Sequence, residues 1–273
     1  MKKEAAFKLL ADSGVVAVIR AQSAAQLQDI AKALVEGGVL GIEVTMTTPK
    51  AIAGIEKLAD EMGDRCVVGV GTILDAATCA DAIHAGAQFV VSPVLVPAVI
   101  EVTRKLGKIS VPGAYTPTEI LTAWTAGADV VKVFPATGLG PTYLKDLLAP
   151  MPFLRLTPTG GVDVKRPPDR IKAGAVIFDA DLEEVLGAMG GKFEGGVGGA
   201  GGVLAGVVDE VEEDLLNREE IGADGNILGG GSDVDAEGHA SLGGAVGEAR
   251  GEAIEEAGEG GGFDAGIAGG AFE

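Results

Sequence analysis

From Val15 to Thr157 the chain repeats one pattern: a short apolar, β-branched run, a polar or glycine turn, then apolar residues at helical spacing that stop near a glycine. The repeat is roughly 20 to 24 residues long. It predicts strands over 15–20, 41–47, 67–72, 89–92, 109–112, 130–134 and 154–157. Helices are expected over 24–36, 49–62, 76–85, 96–106, 118–126 and 141–148, with a short one at 3–11 and another at 167–173. Gly37, Gly63, Gly86, Gly107 and Gly127 stand where those helices should stop. Apolar strands separated by helices are strands buried on both faces, hence a parallel sheet. Seven such units and the start of an eighth fit an α/β (β/α)8 TIM barrel behind a short N-terminal helix. A doubly wound open sheet is the alternative architecture.

The barrel reading locates function, because active sites of this fold form where the strands end. The polar residues closing the apolar runs are Arg20, Glu43 with Thr45 and Thr47, Thr72, Ser92-Pro93, Pro112-Gly113, Lys132 and Thr159-Gly160-Gly161. Lys132 stands out, since Val130-Val131-Lys132-Val133-Phe134 is otherwise apolar. Burial disfavours a charged amine, so a lysine enclosed there is expected to titrate low and act as a nucleophile toward a carbonyl. A strand-end lysine snorkelling to water fits the same local pattern. Alternation puts Glu43, Thr45 and Thr47 on one strand face, and a glutamate facing such a lysine can carry protons. A buried ion pair without chemistry is the other reading. Gly160-Gly161 could let backbone N–H groups approach an anion ahead of a helix.

Composition divides the chain. Residues 1–175 carry 18 Lys+Arg against 17 Asp+Glu, while the last 98 residues carry 3 against 23. Glycine follows the same split, with 17 of 44 before residue 176 and 27 after. The expected organisation is a barrel over 1–176, an atypical closing segment over 177–220 that includes one helix, and an acidic Gly-rich tail over 221–273 too polar to pay for ordering. Two cysteines, Cys66 and Cys79, suggest a reduced cytoplasmic setting without disulfides. With two histidines and no Cys-x-x-Cys, neither zinc nor another metal is expected. Nothing in the pattern points to a membrane span or a nucleic-acid surface. Asp233-Val234-Asp235-Ala236-Glu237-Gly238 imitates the start of a calcium loop, but Gly244 stands where the bidentate glutamate belongs.

Seven segments together resemble the 2-keto-3-deoxy-6-phosphogluconate / 4-hydroxy-2-oxoglutarate (KDPG/KHG) aldolases, over about residues 5–175. They are Val15–Arg20, Gly41–Thr45, Val68–Thr72, Gly86–Phe89 with Ser92-Pro93, Pro112–Glu119, Val131–Ala136 and Pro158–Val162. The resemblance implies a class I aldolase on a (β/α)8 barrel that needs no cofactor and cleaves a 2-keto-4-hydroxy acid to pyruvate and an aldehyde. It implies Lys132 as the Schiff-base lysine and Glu43 as general acid/base. It further implies a substrate pocket lined by Thr72, Pro93 and Thr159, a phosphate cradle at Gly160 and Gly161, and a homotrimer. Arg20 is expected to bind phosphate or carboxylate. Some members carry arginine where this chain has Thr47, which bears on substrate preference. The likeness fades after residue 176: Asp179 and Asp181 stand where the second half of the phosphate cradle belongs, and negative charge there repels phosphate. A catalytically impaired relative keeping only a pyruvate or sugar-acid pocket, or an acidic C-terminal extension foreign to the family, is the alternative reading.

Overall fold

A computed structural model describes residues 1–160 and 173–181, all within the unit Met1–Leu228. The strands are β1 (Val15–Ile19), β2 (Gly41–Thr45), β3 (Val67–Gly71), β4 (Phe89–Val91), β5 (Ile109–Val111), β6 (Gly113–Ala114), β7 (Val131–Val133), β8 (Leu156–Pro158) and β9 (Phe178–Asp181). Between them run α1 (Lys3–Ser13), α2 (Ala24–Glu36), α3 (Ala51–Met62), α4 (Ala76–His84), α5 (Pro97–Lys105), α6 (Pro117–Thr125) and α7 (Pro141–Leu148).

Among the described residues every strand pairing is parallel, in the order β5-β4-β3-β2-β1-β9 and β6-β7-β8. Pro112 has no N–H to donate, and it divides one strand into β5, which pairs with β4, and β6, which pairs with β7. A parallel bridge between Leu156 and Ala175 joins β8 to the stretch that enters β9, supported by the Val176 N–H donating to Leu156 O at 3.0 Å. The Thr157 hydroxyl donates to Ile177 O at 2.8 Å. Since β9 pairs with β1, with Val15 opposite Phe178 and Val18 opposite Asp181, the ring closes. The chain is a (β/α)8 TIM barrel, and the open-sheet alternative is excluded. The expected helix at 167–173 and the expected segments beyond 181 lie outside the described residues.

Strand alternation sorts the core into two layers. Ile42, Val44, Val68, Val70, Val131, Val133 and Leu156 face outward and pack on apolar stripes of the helices, such as Leu27, Ala31 and Leu34 of α2 and Ile55, Leu58 and Met62 of α3. Val16, Val67, Phe89, Val91, Ile109, Val111, Val130 and Ile177 fill the inside, together with Ala6 and Leu10 of α1. Thus α1 plugs the N-terminal end of the barrel, and its Lys3 reaches Asp129 at 2.8 Å. Function is left the opposite end.

Strands β1 to β5 and β7 end one or two residues earlier than the apolar runs suggest, and β8 ends one residue later. Arg20, Met46-Thr47, Thr72 and Ser92 leave the ladder and belong to the loops above it. Residues 154–155, expected in a strand, precede it: the Leu154 N–H closes a turn by donating to Met151 O, the Arg155 carbonyl accepts from the Val131 N–H, and β8 begins at Leu156.

Candidate functional site

Glu43 lies between outward-facing Ile42 and Val44, and Lys132 between outward-facing Val131 and Val133, so both side chains enter the barrel interior. Glu43 is 2 % exposed and Lys132 is 7 % exposed. A lysine this enclosed does not snorkel to bulk water.

Register fixes the surroundings of Lys132. It is paired with Gly113 on one side and Thr157 on the other, and its N–H donates to Pro112 O at 2.9 Å. Nζ lies 5.5 Å from the centre of the Phe134 ring, within cation–π range should the amine be protonated. Beneath Lys132, just before β7, is Val130, part of the apolar interior. Gly113 brings Pro93 into this neighbourhood: a Cβ there would lie 2.7 Å from Ser92 O and collide with the Pro93 carbonyl. Only a glycine lets that loop approach.

On the other side of the interior, Glu43 is in register with Val18 and Gly69, and its carboxyl group lies over Gly71. The next residue, Thr72, is half-buried and holds φ at 63°. That is the left-handed region, sterically costly for a β-branched residue. Thr45 is buried, and its hydroxyl donates to Ile19 O at 3.3 Å and lies 2.8 Å from the Thr47 hydroxyl. Thr47 itself belongs to an exposed turn, so the expectation that it shares the strand face of Glu43 holds for Thr45 alone. Arg20 is exposed at the end of β1.

Thr159 follows β8 and is buried. Its N–H donates to Val133 O at 3.0 Å and its carbonyl accepts from the Ala136 N–H at 2.8 Å, tying the end of β8 to the chain just past Phe134. Gly160 turns at φ 85°, a conformation open to glycine, against the Phe134 ring. Gly161 lies outside the described residues.

The structure therefore brings Glu43 and Lys132 into one interior, with Thr72, Pro93, Thr159, Gly160 and Arg20 at strand ends around it. It adds Phe134 and Gly71, neither of which sequence reasoning singled out as shaping the site, and shows Gly113, read as closing an apolar run, to be where Pro93 approaches. Glycines inside the strand pattern Val67–Gly71 were the available signal, since an interior strand glycine marks a close approach.

The cysteines stand apart. Both are buried in the outer layer, and burial pushes the Cys66 thiol up to about 11. Burial likewise raises Cys79, whose sulfur lies 3.3 Å from the Thr103 hydroxyl. Thiols so held are poor nucleophiles at neutral pH. Among the described residues no group of three or more His, Cys, Asp or Glu could hold a metal, and no helix is long and apolar enough to cross a membrane.

A parallel (β/α)8 barrel with a buried lysine and a buried glutamate inside its C-terminal end is an architecture for covalent carbonyl chemistry. Comparison with known proteins gives the family. The chain belongs to the KDPG and KHG aldolases, whose family model matches residues 7–181 and so runs through β9. These are class I aldolases, carbon–carbon lyases. The chain is 37% identical over 157 residues to the 2-dehydro-3-deoxy-phosphogluconate aldolase of Treponema pallidum, covering 57% of this chain and 74% of that one. It is 34% identical over 149 residues to a probable 2-dehydro-3-deoxy-6-phosphogalactonate aldolase of Rhizobium meliloti, covering 54% and 70%. The crystal structure of the Zymomonas mobilis 2-keto-3-deoxy-6-phosphogluconate aldolase with 3-phosphoglycerate superposes with a TM-score of 0.64 at 26% identity, over 74% of this chain and 93% of that one.

Proposed function

We propose that this aldolase cleaves a 2-keto-4-hydroxy acid to pyruvate and an aldehyde through an imine on Lys132, with Glu43 carrying the protons. The supporting observation is the enclosure of Lys132 at 7 % exposure, set on an apolar floor inside the barrel that also encloses Glu43. The amine and a carboxyl group enclosed in one interior supply the nucleophile and the proton carrier that the reaction uses.

The neutral amine of Lys132 adds to the substrate C2 carbonyl to give a carbinolamine. A proton from Glu43 assists loss of water, leaving a protonated imine. Glu43, now a carboxylate, takes the proton of the C4 hydroxyl directly or through a water. The C3–C4 bond breaks, its electrons pass to the imine nitrogen, and an aldehyde departs from the resulting enamine. Protonation of the enamine carbon and addition of water return pyruvate and the free amine.

Thr72, Pro93 and Thr159 are assigned to the keto-acid end of the substrate. Arg20, Gly160 and Gly161 are assigned to its distal anion. Candidate substrates are 2-dehydro-3-deoxy-6-phosphogluconate, giving glyceraldehyde 3-phosphate, and 4-hydroxy-2-oxoglutarate, giving glyoxylate. The acidic residues of β9, Asp179 and Asp181, argue from charge that a phosphorylated distal end is disfavoured. Assembly as a homotrimer in the cytoplasm completes the proposal.

The test is aldol cleavage coupled to lactate dehydrogenase. Pyruvate release is expected from the full chain, with a higher KM for the phosphorylated substrate than for 4-hydroxy-2-oxoglutarate. No release from either substrate is expected with Lys132→Ala. Cleavage by Lys132→Ala at the parent rate would overturn the assignment.

A further inference from the structure

Strand β3 reads Val67-Val68-Gly69-Val70-Gly71, and because Val68 and Val70 pack in the outer layer, positions 67, 69 and 71 face the barrel interior. Two of these three positions carry no side chain, and each missing side chain is replaced by one from a neighbouring strand. The Phe89 ring of β4 lies against Gly69. Against Gly71 lies the carboxyl end of Glu43: a Cβ there would fall 2.6 Å from Cδ and 3.0 Å from Cγ, and would collide with Oε1.

The two glycines are not equivalent. Gly69 faces the ring of a fully buried phenylalanine, which has no room to withdraw. Gly71 faces the far end of a flexible side chain. Moreover, Gly71 sits in an ordinary strand, outside the left-handed region that would demand glycine on conformational grounds. A strand glycine costs entropy and packing relative to alanine, so conformation alone favours alanine at 71. What alanine would displace is the Glu43 carboxyl group.

We propose that Gly71 is a positioning residue for the aldol reaction: the absence of its side chain lets the Glu43 carboxyl group lie against β3, one residue before Thr72. The inference rests on the reading of Glu43 as proton carrier. A carboxyl group moved by a methyl group's width still occupies the interior but loses the alignment that proton transfer to and from substrate requires. The imine at Lys132 still forms, more slowly at the dehydration that Glu43 assists, so pyruvate trapping at long incubation survives the displacement.

The experiment measures steady-state cleavage by Gly71→Ala, Glu43→Gln and the double variant, with melting temperatures and borohydride trapping of pyruvate. Gly71→Ala is expected to fold, to keep KM within about threefold, to retain pyruvate trapping and to lose about 10- to 100-fold in kcat, part of the contribution of a placed acid–base group. In the Glu43→Gln background the same substitution is expected to have no further effect, because the carboxylate it would displace is already gone. An unchanged kcat in Gly71→Ala alongside a slow Glu43→Gln overturns the positioning role and leaves the proton-carrier reading intact. Full additivity of the two substitutions overturns it as well. A Glu43→Gln variant with parent kcat overturns both. Should Gly71→Ala alone prove unstable, Gly71→Ala with Glu43→Asp withdraws the acid by one methylene. That pair is expected to regain the parent melting temperature, and failure to do so overturns the proposal.

Discussion

Thr72 holds a left-handed backbone at φ 63°, although its branched Cβ makes that conformation costly by about 1–2 kcal/mol. The neighbouring contacts hold it there: the Ile73 N–H donates to Val91 O at 3.1 Å and the Met46 N–H donates to Gly71 O at 3.0 Å, fixing the chain on both sides. A residue kept in strain beside Glu43 is expected to be kept for its hydroxyl. Thr72→Gly should therefore raise stability in urea by about 1 kcal/mol, the relief of strain exceeding glycine's entropic cost, while cleavage activity falls. Greater stability with full activity would show that the hydroxyl is dispensable. Lys132 and Glu43 were legible in the sequence because a charged residue inside an apolar strand violates the local pattern. Gly71 was not, because what a glycine makes room for comes from another strand.

At the scale of elements, chain punctuation explains why most helices were legible. Ser23 caps α2 by accepting from the Gln26 N–H, Asp75 caps α4 through the Thr78 N–H, and Thr116 with Glu119 forms a capping box on α6. The boundaries 24–36 and 141–148 agree with α2 and α7. Strand ends were less legible, since residues compatible with a strand, such as Thr47, Thr72 and Ser92, continue the pattern past the last strand residue into the loops above it. The division of β5 from β6 at Pro112 also escaped notice, although a proline inside a strand pattern is a known break. How α1 is held could not be read at all. Asp129 accepts from the Ser110 N–H at 2.8 Å through one oxygen and pairs with Lys3 at 2.8 Å through the other, joining α1, β5 and the entry to β7. Asp129→Ala is expected to cost about 2 kcal/mol, chiefly for the lost charged acceptor, with the partly exposed ion pair adding little. Urea denaturation measures it, and a change below about 0.5 kcal/mol, the range of ordinary surface substitutions, would contradict this role for Asp129.

For the whole molecule, closure of the barrel is the condition for the chemistry. The likeness read from the sequence faded near residue 176, and with only seven recognisable units β1 and β8 would be left as open edges. Backbone pairing answers this, because β9 lies in register against β1 and Ala175 bridges Leu156, whatever side chains β9 carries. Closure depends on ladder geometry more than on residue identity, which is why the acidic residues of β9 obscured it in the sequence. A closed ring encloses the apolar floor on which Lys132 stands and keeps its amine away from bulk water. That enclosure is the central claim, and covalent trapping measures its consequence. The full chain incubated with pyruvate and sodium borohydride should gain the mass of one reduced pyruvate adduct, mapping to the peptide containing Lys132 and absent from Lys132→Ala. An unmodified Lys132 under these conditions, or an adduct on another lysine that survives Lys132→Ala, would contradict the account.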